Sequence, residues 1–469
     1  MTNLHDLDAA ALAAAFADGS ATPVDALDAV LARCEAVNPA VNAVCALDIP
    51  GARAAAEASA LRWSGRAPRG PLDGIPVTVK DLTPARGMPL RLGTPGSSPE
   101  PLEFDAPAVA RLREAGAVIF AKTTTSEFGV QIVTETALTG LTRNPWNLSH
   151  HAGGSSGGAG AAVAAGIGPL ALATDGGGSI RIPSGWCGVV GFKPSFKRVP
   201  TGGGEGFGSL ANTGPIARTV RDAAAMLNVM AQRPEIDWQG METAATDYTA
   251  NLTGGLAGLR IAFSPDLGIC EVDPQVAARL VDAVALLRAQ GAEVEEIAVP
   301  PMEGYVSPEG YSIHGIQWIC ALQRSLSRLP PAMLDQVAPE IRKLAAIADD
   351  IPLSVYTDAL ATRERMAQEM HMLVGRYDAL VLPTFHVPAP PAPGMPASIQ
   401  GTPPLTSWAN QTMQPALSVP CGLTDAGLPV GLQIVARRYA DAMVLRIGAG
   451  YEAARGRFPA PVIADAVDA

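Results

Sequence analysis

Two short segments carry the side chains best suited to acyl-transfer chemistry. Residues 153–158 read Gly-Gly-Ser-Ser-Gly-Gly, and residues 174–183 read Thr-Asp-Gly-Gly-Gly-Ser-Ile-Arg-Ile-Pro. In the second segment three glycines precede Ser179, at the end of the apolar run 170–173. Lacking Cβ atoms, Gly176, Gly177 and Gly178 let successive backbone N–H groups turn toward one point, which is what a tetrahedral oxyanion requires. A tight turn with an incidental serine explains the same local pattern equally well. Lys80 follows the apolar run 75–79. Exposed, it would simply reach solvent. Buried, its pKa would fall from about 10.4 toward neutrality and it would become a base.

Residues 153–157 also satisfy G-x-S-x-G, the nucleophile elbow of serine hydrolases with an Asp–His pair. That reading needs an apolar strand just before the serine, but residues 147–152 are Asn-Leu-Ser-His-His-Ala. The later histidines, His314, His371 and His386, lie in no Gly- or Asp-rich loop. The sequence contains no phosphate-binding G-x-x-x-x-G-K-[ST], and residues 158–163 lack the third glycine of a dinucleotide fingerprint. A serine hydrolase without a catalytic histidine needs another base, and the serine–lysine variant of the triad supplies one.

These pieces together resemble the amidase signature family. The resemblance rests on Lys80-Asp81, the 153–158 run, the 175–183 run, and a Ser155–Ser179 spacing of 24 positions. It continues through residues 185–194, 214–218, 417–422 and 427–435, covering 70–235 and 405–456 densely and the middle hardly at all. It implies Ser179 as nucleophile, Ser155 as proton relay after a cis bond from Gly154, and Lys80 as base. Gly176, Gly177 and Gly178 would form the oxyanion loop. Ser156, Asp175 and Arg181 would support the reacting groups from behind, Asp175 pairing with Arg181 and Ser156 holding the loop. Asp81 is expected to play a similar part, and Glu127 to be a structural hydrogen-bond acceptor. Two positions depart from the family pattern. Ala152 stands where many members place proline, and Gly176 where many carry Thr or Ile.

The elements that position these residues follow from periodicity. Helices are expected at 6–18, from a Thr22 N-cap and Pro23 to about Asn38, and at 51–64. Strands at 75–79, 117–120 and 170–173 alternate with helices at 106–115 and 220–231. Strands recur at 260–263, 294–297, 378–382, 416–419 and 430–435, with helices at 273–290, across most of 330–376, and at 440–455. The fold class is therefore α/β, which for this family means a large mixed β-sheet covered by helices on both faces. The organisation reads as an N-terminal helical arm (1–69), a catalytic core (70–235), a variable pocket-shaping region (236–405) and closing strands with a helix (406–469).

Bulk properties narrow the function. The chain has 34 basic and 45 acidic residues among 469, with 48% hydrophobic and 17% charged, so it is globular and net acidic at −11. Such a surface repels phosphate backbones. The uncharged stretch 155–174 is rich in Gly and Ala and poor in Leu, Ile and Phe, hence a buried helix and no membrane span. The N-terminus lacks the basic start and apolar run of a secretory signal, and six scattered cysteines form no CxxC pair. A cytoplasmic location is expected. The expected partners are a small-molecule amide-type substrate and a second copy in a homodimer, with no nucleic acid, membrane, metal or cofactor. Tyr305, Tyr311, Trp318 and Trp408 are candidates for an apolar acyl or aryl pocket, and the glycine run 202–206 for an open mouth. Two alternatives stay in view: the glutamine-hydrolysing component of an aminoacyl-tRNA amidotransferase, and a non-catalytic binding protein on the same fold. Residues 211–215 lack the Asp-Gln pair usual before Gly-Pro in those amidotransferase components.

Overall fold

The computed structural model describes residues 3–201, 207–232, 246–299, 312–401 and 404–463. Its centre is a mixed sheet of eleven strands: β1 (Val44–Leu47), β2 (Pro76–Lys80), β3 (Val118–Thr123), β4 (Leu170–Asp175), β5 (Val190–Lys193), β6 (Asn212–Ala217), β7 (Arg260–Phe263), β8 (Glu293–Glu296), β9 (Ala379–Pro383), β10 (Ala416–Leu423) and β11 (Pro429–Val435). The spatial order is β1-β3-β2-β4-β6-β5-β10-β11-β9-β7-β8. Strands β3, β2 and β4 run parallel to one another, as do β9, β7 and β8, and antiparallel pairings join these two groups.

The central strands are apolar on both faces because both faces are covered. In β4, Leu170 and Leu172 enter one core with the helices 9–18, 107–114, 220–230, 274–289 and 441–455. Their neighbours Ala171 and Ala173 point the other way, toward the helices 23–41, 49–64 and 157–165. Farther along that second face, the helices 313–326, 353–374 and 404–411 pack on β9, β10 and β11.

The anticipated elements form with small shifts at their ends. The second helix starts where its capping signals put it: Thr22 accepts from the Asp25 amide, Asp25 reciprocates, and Pro23 occupies the first turn. Strand β1 is not legible from its four residues, Val-Cys-Ala-Leu, yet it lines the sheet edge beside β3. The segment 147–151 is a strand, contrary to the reading of 147–152 as non-strand. It is polar and pairs with Arg143–Asn144 in a separate two-stranded sheet, outside the main one. Among the described residues no helix is long and apolar enough to cross a membrane. The Ala-rich helix spans only Gly157–Ala165 and is buried.

Candidate active site

The parallel strands β2 and β4 end side by side, with Val79 in register with Leu172, so Lys80 and the Thr174–Asp175 pair emerge at one edge. The carboxyl ends of parallel strands are where α/β sheets gather their chemistry. Lys80 is fully buried. Its Nζ lies 2.7 Å from Ser155 Oγ and 2.9 Å from Thr174 Oγ1. Burial pushes its pKa down to about 7, against the opposing pull of the Asp175 charge.

Ser155 follows a cis peptide bond from Gly154, as the resemblance implied. The turn is fixed by its backbone. Thr134 Oγ1 donates to the Gly153 carbonyl at 2.9 Å and accepts from the Gly157 amide at 3.1 Å, while the Ser126 amide donates to the Ser155 carbonyl at 3.3 Å. Ser156 bridges the loops: its amide donates to the Ser179 carbonyl at 3.3 Å and its hydroxyl to the Thr174 carbonyl at 3.1 Å. The Ser155 and Ser179 hydroxyls are not hydrogen-bonded to each other. The Ser156 backbone holds their segments together.

Asp175 organises the glycine loop. Its Oδ1 accepts from the Gly178 amide at 2.8 Å and its Oδ2 from the Ile180 amide at 3.1 Å. Arg181 then grips the same carboxylate bidentately, Nε to Oδ2 at 2.9 Å and Nη2 to Oδ1 at 2.8 Å. The guanidinium charge overcomes the cost of burial and holds the Asp175 pKa well below the usual carboxylate range. Arg181 also donates to the Thr406 carbonyl, Gln433 Oε1 and Asn410 Oδ1, and Asn410 Nδ2 returns to Asp175 Oδ1 at 3.0 Å. Gly178 sits at φ 136°, a backbone that only glycine adopts freely. Because the Gly178 amide serves Asp175, it is withdrawn from the expected set of oxyanion donors.

Other flagged residues divide. Asp81 faces Lys122 at 3.4 Å and accepts from the Arg91 amide, a buried pair beside Lys80. Glu127 accepts from the Ala338 amide at 3.2 Å, the structural part expected of it. Trp318 lies over the glycine loop: a Cβ on Gly176 would come within 2.5 Å of its ring. It stacks between Phe207, with centroids 3.8 Å apart, and His314, at 5.5 Å. Trp408 is a packing residue, fully buried in the core with its indole N–H on the Leu405 carbonyl. Tyr305, Tyr311 and the glycines of 202–206 lie outside the described residues.

Sequence reasoning missed Thr174, Thr406, Asn410, Gln433 and the site position of His314. Two of them had a signal. Thr174 adjoins Asp175 in the same motif, and Gln433 is a lone amide inside the apolar strand 429–435, where a buried polar group implies a partner.

Known proteins share this architecture. A family model described as Amidase matches residues 25–445. An acylamidase of Rhodococcus erythropolis is 39% identical over 468 residues, covering 97% of this chain and 96% of that protein. The GatA-type component of the glutamyl-tRNA(Gln) amidotransferase of Roseiflexus sp. strain RS-1 is 36% identical over 478 residues, covering 96% and 97%. Among solved structures, a bacterial aryl acylamidase of the amidase signature enzymes superposes with TM-score 0.88 at 28% identity, covering 97% of each chain. A 6-aminohexanoate cyclic dimer hydrolase complexed with substrate superposes with TM-score 0.86 at 30% identity, covering 97% and 98%.

Proposed function

The chain belongs to the amidase family and is a hydrolase, and from that premise we propose that it cleaves carboxylic amides through an acyl-enzyme on Ser179. The observation that carries the mechanism is the contact of 2.7 Å between buried Lys80 and Ser155. With a pKa near 7, Lys80 is substantially neutral at physiological pH and can accept a proton. In the proposed step Lys80 takes a proton from Ser155 as Ser155 takes one from Ser179. Ser179 Oγ then attacks the acyl carbon. The amides of Gly176, Gly177 and Ser179 receive the developing charge, and Asp175 holds the Gly178 amide out of the way and the loop in shape. The relay returns a proton to the departing amine, and water repeats the sequence to release the acid.

The preferred substrates are acyl amides and anilides, with carbamates and esters as lesser ones. The acylamidase relative and the aryl acylamidase fold support this order, and the aromatic stack over Gly176 offers a planar apolar wall. The reading as the glutamine-hydrolysing component of an amidotransferase draws on the amidotransferase relatives. It predicts turnover only with glutamine and a co-purifying partner. Cytoplasmic work is in keeping with six free cysteines.

The test is a panel of anilides, aliphatic amides, carbamates and p-nitrophenyl esters, with hydroxylamine added to trap the acyl group as hydroxamate. Ser179→Ala should fold normally and yield no hydroxamate. Undiminished turnover in that variant would reject the mechanism.

A further inference from the structure

His314 is nine-tenths buried or more, at 4% exposure, on the first turn of the helix 313–326. Its ring meets the glycine loop edge-on: a Cβ on Gly177 would come within 2.9 Å of Nε2. The other nitrogen, Nδ1, lies 3.2 Å from Gln411 Nε2. Nε2 itself has no hydrogen-bond partner among the described residues.

A chain of side-chain amides fixes the tautomer. Arg363 can only donate. Its Nη1 faces Gln317 at 3.3 Å, so the Gln317 oxygen must take that side. Gln317 Nε2 then donates to the Ile313 carbonyl at 3.1 Å and to Gln411 Oε1 at 3.2 Å. The Ile313 carbonyl, which can only accept, independently demands the same orientation. Gln411 is thereby left with its NH₂ toward His314, and Nδ1 must accept. The ring proton therefore resides on Nε2, aimed at the glycine loop. A proton on both nitrogens would set two donors against each other at Nδ1. Desolvation and the Arg363 charge agree, holding the imidazole neutral with a pKa near 3.

We propose that the Nε2–H of His314 is a side-chain donor to the substrate's carbonyl oxygen as it becomes an oxyanion, taking the place of the Gly178 amide that Asp175 withdraws. The inference rests on Ser179 being the nucleophile. Glycine at 177 is then required for access, since any side chain would close the gap between ring and loop. Stacking on Trp318 holds the ring plane.

The experiment uses the full-length enzyme with p-nitroacetanilide and p-nitrophenyl acetate. His314→Phe, which keeps the ring and removes the donor, should lower kcat by about 10²-fold with KM little changed, the signature of an interaction made in the transition state. His314→Gln, which returns an N–H near the same point, should recover to within about tenfold of the wild type. A wild-type kcat in His314→Phe overturns the proposal, and so does a loss confined to KM. Nitrogen-15 spectra of histidine-labelled wild-type enzyme, assigned by the signal lost in His314→Gln, should show a neutral ring protonated at Nε2. A ring protonated at Nδ1 overturns the proposal even if the phenylalanine variant does not fold. Ser179→Ala separates the two readings. If that variant still turns over, the acyl-enzyme mechanism fails. If it is inert while His314→Phe is unimpaired, only the role of His314 fails.

Discussion

The ends of β2 and β3 present the same residue in the same kind of place with opposite results. Lys80 and Lys122 are both fully buried on neighbouring parallel strands, with Lys122 in register beside Val79. Desolvation lowers both. Lys122 meets the Asp81 carboxylate at 3.4 Å and the Thr83 carbonyl at 2.5 Å, partners that favour an ammonium. Lys80 meets two hydroxyls, which can donate or accept, and its nearest counter-charge, Asp175, is already held by Arg181. Burial alone therefore does not make a base. A buried lysine becomes one when the carboxylates around it are committed elsewhere.

Exchanging each lysine should separate the two roles. Lys80→Met should lower kcat by about 10⁴-fold, comparable to removing a triad member, while the protein melts no earlier than the wild type. Lys122→Met should do the reverse, keeping activity in the folded fraction while costing about 3–5 kcal/mol in denaturant titrations, because Asp81 is left buried without its cation. A catalytic loss in the second variant comparable to the first would break the comparison.

The pH dependence sharpens it. The neutral form of Lys80 is the active one, so kcat/KM should be full above about 7 and fall tenfold per pH unit below it. The sign for stability is the same. Between about 7 and the ordinary lysine value of 10.5 the unfolded chain binds the proton that folded Lys80 does not, so stability rises with pH across that window. Lys80→Met should flatten that part of the slope. The smallest effect concerns the N-terminal helices, far from either lysine. Thr22→Ala removes the capping box and should cost about 1 kcal/mol by thermal melting with activity unchanged.

Lys80, Ser155, Asp175, Ser179 and Arg181 were legible in the sequence because their signals are local: glycine runs, strand ends and fixed spacing. The pairing of Asp175 with Arg181 was legible for the same reason, being six residues apart on one turn. The Gly178 amide was misassigned because its partner is a side chain, and no spacing rule says whether an N–H points outward or back. Asn410, Gln433 and Thr406 were illegible because each reaches Arg181 across more than 220 positions. Strand β1 escaped because four residues with one half-exposed face carry too little periodicity.

The sequence by itself determined the α/β pattern, the helix starts and the identity of the reacting groups, since propensity, capping and glycine geometry act over a few residues. Only the tertiary structure decided which lysine is neutral, which amide faces the substrate and which nitrogen of His314 holds its proton. Those properties depend on desolvation and on donors and acceptors brought together by packing, and a charge or a tautomer is set by what surrounds the group.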